Sequence, residues 1–238
     1  MTSGVPAMRF TNIIFDFDGT LTDSRRDIAG AQLWALRQLG VHSYREEDLY
    51  PLIGKPLHDT FASLLPDHQH GRIPEAIALY AEYYPPRALD TTVLFPGVRE
   101  TLSVLRQRGH RLAIASTKKG AGILRATEFF AITAFFDQLQ GSDGIPFKPA
   151  PDVLHLILDA QRWDRRETIM VGDTDGDLQA GRAAGVATCA VTYGSLTREQ
   201  LAAHRPDFLV EHFSELPAVV SGEAAAFKPG KHMRQDHP

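Results

Sequence analysis

Four short stretches of this chain carry side chains suited to handling a phosphate and a cation. Asp16 and Asp18 flank Phe17 just ahead of Gly19, and Ser116 and Thr117 follow an apolar run. Lys148 stands before Pro149, and Asp173 and Asp177 follow a second apolar run. Each has an ordinary explanation when taken singly. An Asp before Gly forms turns, a Ser-Thr pair caps a helix, and a lone Lys is a solvated charge. Together they supply the hard oxygens, hydroxyl and ammonium that a divalent cation and a phosphate require. Carboxylates clustered without a cation repel one another and any phosphate, whereas with magnesium the same cluster becomes an anion site.

Such groups act only if the fold gathers them, and the pattern around them says how. Thr11 to Phe17 reads as a strand that stops at the turn signal Asp18-Gly19-Thr20. Arg111 to Ala115, a short run near Phe136 to Leu139, Thr168 to Val171, Val186 to Tyr193 and Asp207 to Val210 read as further strands. Helical spacing separates them: Val98, Leu102 and Leu105, then Ala121 to Phe130, Pro151 to Gln161 and Leu178 to Ala184. This alternation predicts a Rossmann-like α/β fold, a parallel sheet with helices on both faces. Ligands bind such sheets beyond the carboxyl ends of the strands, where most of the candidate residues fall.

Between Ser24 and Thr91 the pattern changes to helices alone. Ser24 and Asp27 resemble a capping box ahead of the stripe Ile28, Ala31, Ala35 and Leu39, which Gly40 ends. Leu57, Phe61, Leu64 and Leu65 form a second stripe. Ile73, Ile77, Tyr80 and Tyr84 form a third, with a stop expected at Pro85-Pro86. The expected organisation is a core of residues 8–23 and 92–220, an all-helical cap of 24–91 and a disordered tail of 221–238.

The motifs are similar to those of the haloacid-dehalogenase-like hydrolases, in the order that superfamily has them. Asp16-Phe17-Asp18-Gly19-Thr20-Leu21-Thr22-Asp23-Ser24 resembles the first, Ile114-Ala115-Ser116-Thr117-Lys118 the second, Lys148-Pro149-Ala150-Pro151 the third and Val171-Gly172-Asp173-Thr174-Asp175-Gly176-Asp177 the fourth. The helical insertion, Leu52 to Leu57 within it and Val191-Thr192-Tyr193-Gly194 resemble the phosphoglycolate-phosphatase-like branch. The resemblance implies a magnesium-dependent phosphatase acting on a small phosphate monoester, phosphoglycolate by default. Asp16 would be the nucleophile and Asp18 the general acid and base, with Ser116 and Lys148 in the catalytic set. Magnesium would be held by Asp16, Asp18 through its backbone carbonyl, and Asp173, with Asp177 behind them. The phosphate would meet Ser116, Lys148 and the amides of Phe17 and Thr117. Lys55 and His58 are the candidates for contacting substrate from the cap.

Other readings compete. A pyrophosphatase or nucleotidase of the same superfamily, or a sugar-phosphate mutase, keeps both aspartates. In the mutases a Ser-Arg pair usually stands where this chain has Lys55-Pro56. A signalling receiver domain, a switch and not an enzyme, also phosphorylates an Asp at a strand end, but lacks the Asp-x-Asp spacing and the insertion. An EF-hand loop over Asp173, Asp175 and Asp177 fails because Ala184 stands where its closing Glu belongs. The net charge of -4 argues against a nucleic-acid binder. The single cysteine, Cys189, fits a reducing compartment, and no apolar run approaches a membrane span. The expectation is a cytoplasmic monomer or homodimer that meets a small phosphorylated metabolite, no nucleic acid and no membrane.

Overall fold

The computed structural model describes residues 9–228. The chain runs through β1 (Asn12–Phe15), β2 (Thr22–Asp23), helices α1 (Arg25–Gln38), α2 (Leu57–Leu64) and α3 (Ile73–Arg87), and β3 (Val93–Leu94). It then alternates through α4 (Val98–Gln107), β4 (Arg111–Ala115), α5 (Gly120–Phe129), β5 (Gln138–Gln140), α6 (Asp152–Gln161) and β6 (Thr168–Gly172). The order ends with α7 (Asp175–Ala183), β7 (Ala187–Val191), α8 (Arg198–Ala203), β8 (Phe208–Val210) and α9 (Leu216–Ser221).

Six of the strands form one parallel sheet in the order β5-β4-β1-β6-β7-β8. Strand side chains alternate between faces, so β1 sends Ile13 and Phe15 one way and Ile14 the other. The first face packs Leu112, Ile114, Ile169 and Val171 with Leu102, Leu105, Ile123 and Val219. The second packs Ala113, Ala115 and Met170 with Val153, Leu154, Ile157 and Ala180. Burial on both faces is why these strands read as continuous apolar runs. Because β1 lies between β4 and β6, the residues following those three strands converge at one point of the sheet edge. The chain leaves β1 toward β4 and leaves β6 toward β7, so the crossovers diverge there, which opens a crevice for ligands.

The helical insertion leaves and rejoins the sheet through an antiparallel pair, β2 against β3. Its three α-helices bury an apolar cluster of their own that includes Leu33, Leu36, Phe61, Leu64, Ile73 and Ala76. The Asp27 carboxylate fixes the start of α1 to the return strand by accepting from the amides and hydroxyls of Thr91 and Thr92. Among the described residues no helix is long and apolar enough to cross a membrane.

Four local expectations change. Ser24 precedes α1 but makes no side-chain capping bond, because its hydroxyl and the Asp27 carboxylate are both engaged elsewhere. Helix α3 continues through Pro85 and Pro86 to Arg87. The carbonyls that lose partners there belong to Ala81 and Glu82, both exposed, where water replaces the missing N–H groups. Helix α7 begins at Asp175, not Leu178, because Thr174 and Asp177 form a reciprocal capping box. Within the stretch expected to be disordered, the Glu223 and Ala224 amides bond the Ala218 carbonyl and the Phe227 amide bonds the Asp207 carbonyl. The rest of that stretch, 229–238, lies outside the described residues, as does residue 8.

Candidate active site

Asp16 is the first residue after β1, and its amide donates to the Val171 carbonyl of β6 at 2.9 Å. Asp173 is the first after β6, and Asp177 lies in the first turn of α7. Each of the three carboxylates offers an oxygen within 4.8 Å of the others, and all three are buried. Lys148 reaches into this group from the loop before α6. Its Nζ donates to Asp16 Oδ1 at 2.7 Å, to Asp177 Oδ1 at 2.5 Å and to the Ala115 carbonyl at 2.9 Å. Asp173 accepts from the Thr20 hydroxyl and the Ser195 amide, both at 2.8 Å. The second oxygen of Asp177 accepts from the amide and hydroxyl of Thr174 at 3.0 and 2.6 Å. Gly19 is needed for two reasons: its φ is +92°, and any Cβ there would overlap the Asp173 carboxylate.

Burial, the largest influence, drives the Asp16 pKa well above the ordinary carboxylate range; Asp177 and Asp173 add to the rise and Lys148 opposes it. Asp173 is pushed up to about 6, first by burial and then by Asp177, against the bonds from Ser195 and Thr20. For Lys148, burial alone would lower the pKa, but Asp16 and Asp177 together outweigh it and hold the ammonium charged. Three buried carboxylates facing one ammonium lack positive charge. A divalent cation is the charge that would complete this set, and carboxylate oxygen is the donor that magnesium takes. The residues present therefore fit such an ion.

Asp18 does not join the carboxylate cluster. Its Oδ1 accepts from the Ser24 hydroxyl at 2.7 Å, and the Lys118 ammonium grips both oxygens at 3.1 and 2.9 Å. Lys118 also donates to the Tyr84 hydroxyl of α3 at 2.7 Å, so one ammonium bridges the sheet edge and the insertion. Neither Lys118 nor Ser24 was assigned a partner by sequence reasoning. Ser24 reads as a helix cap, and Lys118 only as the last residue of the second motif. The available signal for both was their place inside the first and second motifs.

The Ser116 side chain is buried at the end of β4, where its Oγ accepts from the Lys118 amide at 3.2 Å. Phe17 is buried beside Asp16, and Thr117 is half-buried in the loop after Ser116. Phe17, Thr117, Asp16 and Asp18 all line a cavity of about 850 Å³ between the sheet edge and the insertion. Lys55 and His58 lie on the same cavity wall, both exposed, and His58 faces only Asp59 at 3.4 Å. One lining residue escaped sequence reasoning: Gln32, on α1, is buried and its Oε1 has no hydrogen-bond partner. The signal was a polar residue four positions after Ile28, on the buried face of the stripe.

A family model described as haloacid dehalogenase-like hydrolase matches residues 13–191. "Pyrophosphatase PpaX" of Bacillus velezensis is 32% identical over 209 residues, covering 87% of this chain and 95% of its own length. "Probable phosphatase IndB" of Dickeya dadantii is 34% identical over 208 residues, covering 86% and 90%. Among solved structures, a haloacid dehalogenase-like family hydrolase of Streptococcus pneumoniae superposes with a TM-score of 0.81 at 30% identity, covering 89% of this chain and 98% of that one.

Proposed function

The chain belongs to the haloacid dehalogenase-like hydrolase family and is a phosphatase, and we propose that it is magnesium-dependent and passes the phosphoryl group of a phosphate monoester through Asp16. The observation that carries this reading is the Asp16–Lys148–Asp177 chain beside Asp173 at the strand ends, with Asp18 held apart from it.

In the first step an Asp16 oxygen attacks phosphorus, the bond to the alcohol oxygen breaks, and Asp18 gives that oxygen a proton. In the second, Asp18 takes a proton from water, the resulting hydroxide oxygen bonds phosphorus, and the bond to Asp16 breaks. Phosphate leaves and both aspartates return to their starting states. Asp16, Asp173 and the Asp18 backbone carbonyl would hold magnesium, which would neutralise charge on the phosphate oxygens. Asp177 orients Lys148. Ser116, Lys148 and the amides of Phe17 and Thr117 would bind the three oxygens over which the transferring group spreads its charge. The helical insertion acts as a cap that excludes water, with Lys55 and His58 facing the leaving group.

The deciding experiment is phosphate release from an activated aryl phosphate, phosphoglycolate and pyrophosphate, with and without magnesium. Pyrophosphate is included because one relative is named for it. Release that needs magnesium and disappears in Asp16→Asn supports the reading. Release that persists near the wild-type rate in Asp16→Asn would overturn it.

A further inference from the structure

The cavity against Asp16 and Asp18 is larger and less polar than a glycolate leaving group needs. At about 850 Å³ it falls in the ~300–1,000 Å³ range that holds drug-sized ligands. Measured against water at ~30 Å³ per molecule, it far exceeds the room a two-carbon acid occupies. Ile28, Ile53, Leu57, Ile77, Tyr80 and Tyr84 make much of its wall. Burial raises the phenol pKa of both tyrosines well above its ordinary value, so each presents a neutral ring and hydroxyl.

The cations on the wall do not offset this. Lys118 is spent on Asp18 and Tyr84, and Arg125 donates to the Pro85 carbonyl. Lys55 and Lys119 are exposed, so neither is a buried counter-charge for a small carboxylate. A small carboxylate such as glycolate would therefore leave most of the apolar wall unfilled and find no buried cation free among the described residues.

Gln32 adds a second, independent observation. It lines the cavity, is only 2% exposed, and its Oε1 has no partner. That oxygen has almost no accessible surface, so it meets a ligand once the carboxamide turns toward the cavity; left unpaired it costs roughly 1–3 kcal/mol, which a ligand donor would then recover. Ile28 and Gln32 are four residues apart on α1, so they share one face of that helix.

We propose that the substrate is a phosphate monoester of a bulky, largely apolar alcohol, of aromatic-ring size, carrying one hydrogen-bond donor that Gln32 accepts. This rests on the phosphatase reading above and names the leaving group of that site. The apolar body fills the space between the insertion and the sheet edge, and the phosphate reaches Asp16.

The experiment compares kcat/KM for unactivated primary phosphate esters, so that intrinsic leaving-group reactivity does not mask recognition. Benzyl phosphate is set against phosphoglycolate. The ortho-, meta- and para-hydroxybenzyl phosphates are each set against their methyl counterparts. Benzyl phosphate should exceed phosphoglycolate by at least about ten-fold, the worth of one buried ring at ~1.4 kcal/mol per decade. At least one hydroxyl isomer should exceed its methyl partner by about ten-fold, and Gln32→Leu should bring that ratio to about one. Ile77→Asn should reduce the benzyl advantage.

Preference for phosphoglycolate or pyrophosphate would overturn the inference while leaving the phosphatase reading intact. So would hydroxyl-to-methyl ratios near one for all three isomers, or a ratio that survives Gln32→Leu. No release from any ester, activated aryl phosphate included, would overturn the phosphatase reading and this inference with it.

Discussion

The carboxyl ends of β1, β4 and β6 and the cavity beneath the insertion meet at Asp18, yet they are built in opposite ways. At the strand ends the hydrogen bonds are filled although the charge is not balanced: Lys148 has three acceptors, and Asp173 and Asp177 have named donors on both oxygens. Beneath the insertion the wall is apolar, and its buried carboxamide, Gln32, has an oxygen without a partner. A group that must perform one reaction is best fixed by rigid elements and surrounding bonds. A surface that must recognise one partner keeps a hydrogen-bonding site free for it. Damage at the strand ends should depress every substrate alike, and damage to the wall should change their ranking.

After Asp16→Asn, the largest effect is expected at Asp18. Asp18→Asn keeps the shape but removes both the proton donor and the base, which together contribute about 10²- to 10⁴-fold. Steady-state turnover should fall by that factor for all esters, with phosphate accumulating on the protein because water is no longer activated. Mass spectrometry of the quenched enzyme would detect the added phosphoryl group. An unchanged steady-state rate would remove Asp18 from the mechanism.

Lys148→Met tests how far the strand-end cluster is self-supporting. It leaves Asp16 and Asp177 buried without their shared counter-charge, a change that costs about 3–5 kcal/mol. Urea midpoints without magnesium should show a loss of that size, and magnesium should restore part of it. A loss below about 1 kcal/mol would mean the cluster does not depend on Lys148.

Magnesium and protons should compete at the strand ends alone. The Asp173 pKa is raised from 3.8 to about 6, so the folded chain keeps its proton to higher pH than the unfolded chain. For this group the metal-free protein loses stability as pH rises from about 4 to about 6, and stays at the lower level above that. Magnesium binds the ionised form, so its stabilising effect should be larger at pH 8 than at pH 5. At a hundred-fold excess over Kd the gain is about 2.7 kcal/mol, or roughly 5–10 °C in Tm for a chain of this length. Thermal melts at the two pH values decide it, and equal shifts would contradict the assignment of Asp173 to the metal.

The same contrast explains what could be read from the sequence. Asp16, Ser116 and Asp173 were legible because each follows an apolar run, and the parallel order then forces their convergence, whereas Lys148 was legible only through its motif. Ser24 and Asp27 were misread because the three-residue spacing of a cap is local, whereas their partners are not. Asp27 is held by Thr91 and Thr92 across the whole insertion, and Ser24 by Asp18 across a turn. Helix α7 was started late because Asp177 was read only as a group behind the metal ligands and not also as the capping partner of Thr174. Gln32 was hidden in an apolar stripe, where its value depends on the cavity it faces, and a cavity has no local sequence signature.

The smallest effect probes the junction of the two regions. The Tyr84 hydroxyl accepts from Lys118, which in turn holds Asp18, so helix α3 reaches the proposed acid and base through a single ammonium. Tyr84→Phe removes one hydrogen bond worth about 0.5–1 kcal/mol and should lower kcat by about two- to five-fold. Lys118→Met should lower it further, because Asp18 then keeps only Ser24. If Tyr84 acts through Lys118, the double variant should be no slower than Lys118→Met alone, since the bond that Tyr84 makes is already gone. Multiplying losses would instead mean that Tyr84 acts on the substrate directly. The loss in Tyr84→Phe would then vary from one leaving group to another, whereas a route through Asp18 predicts the same factor for all of them.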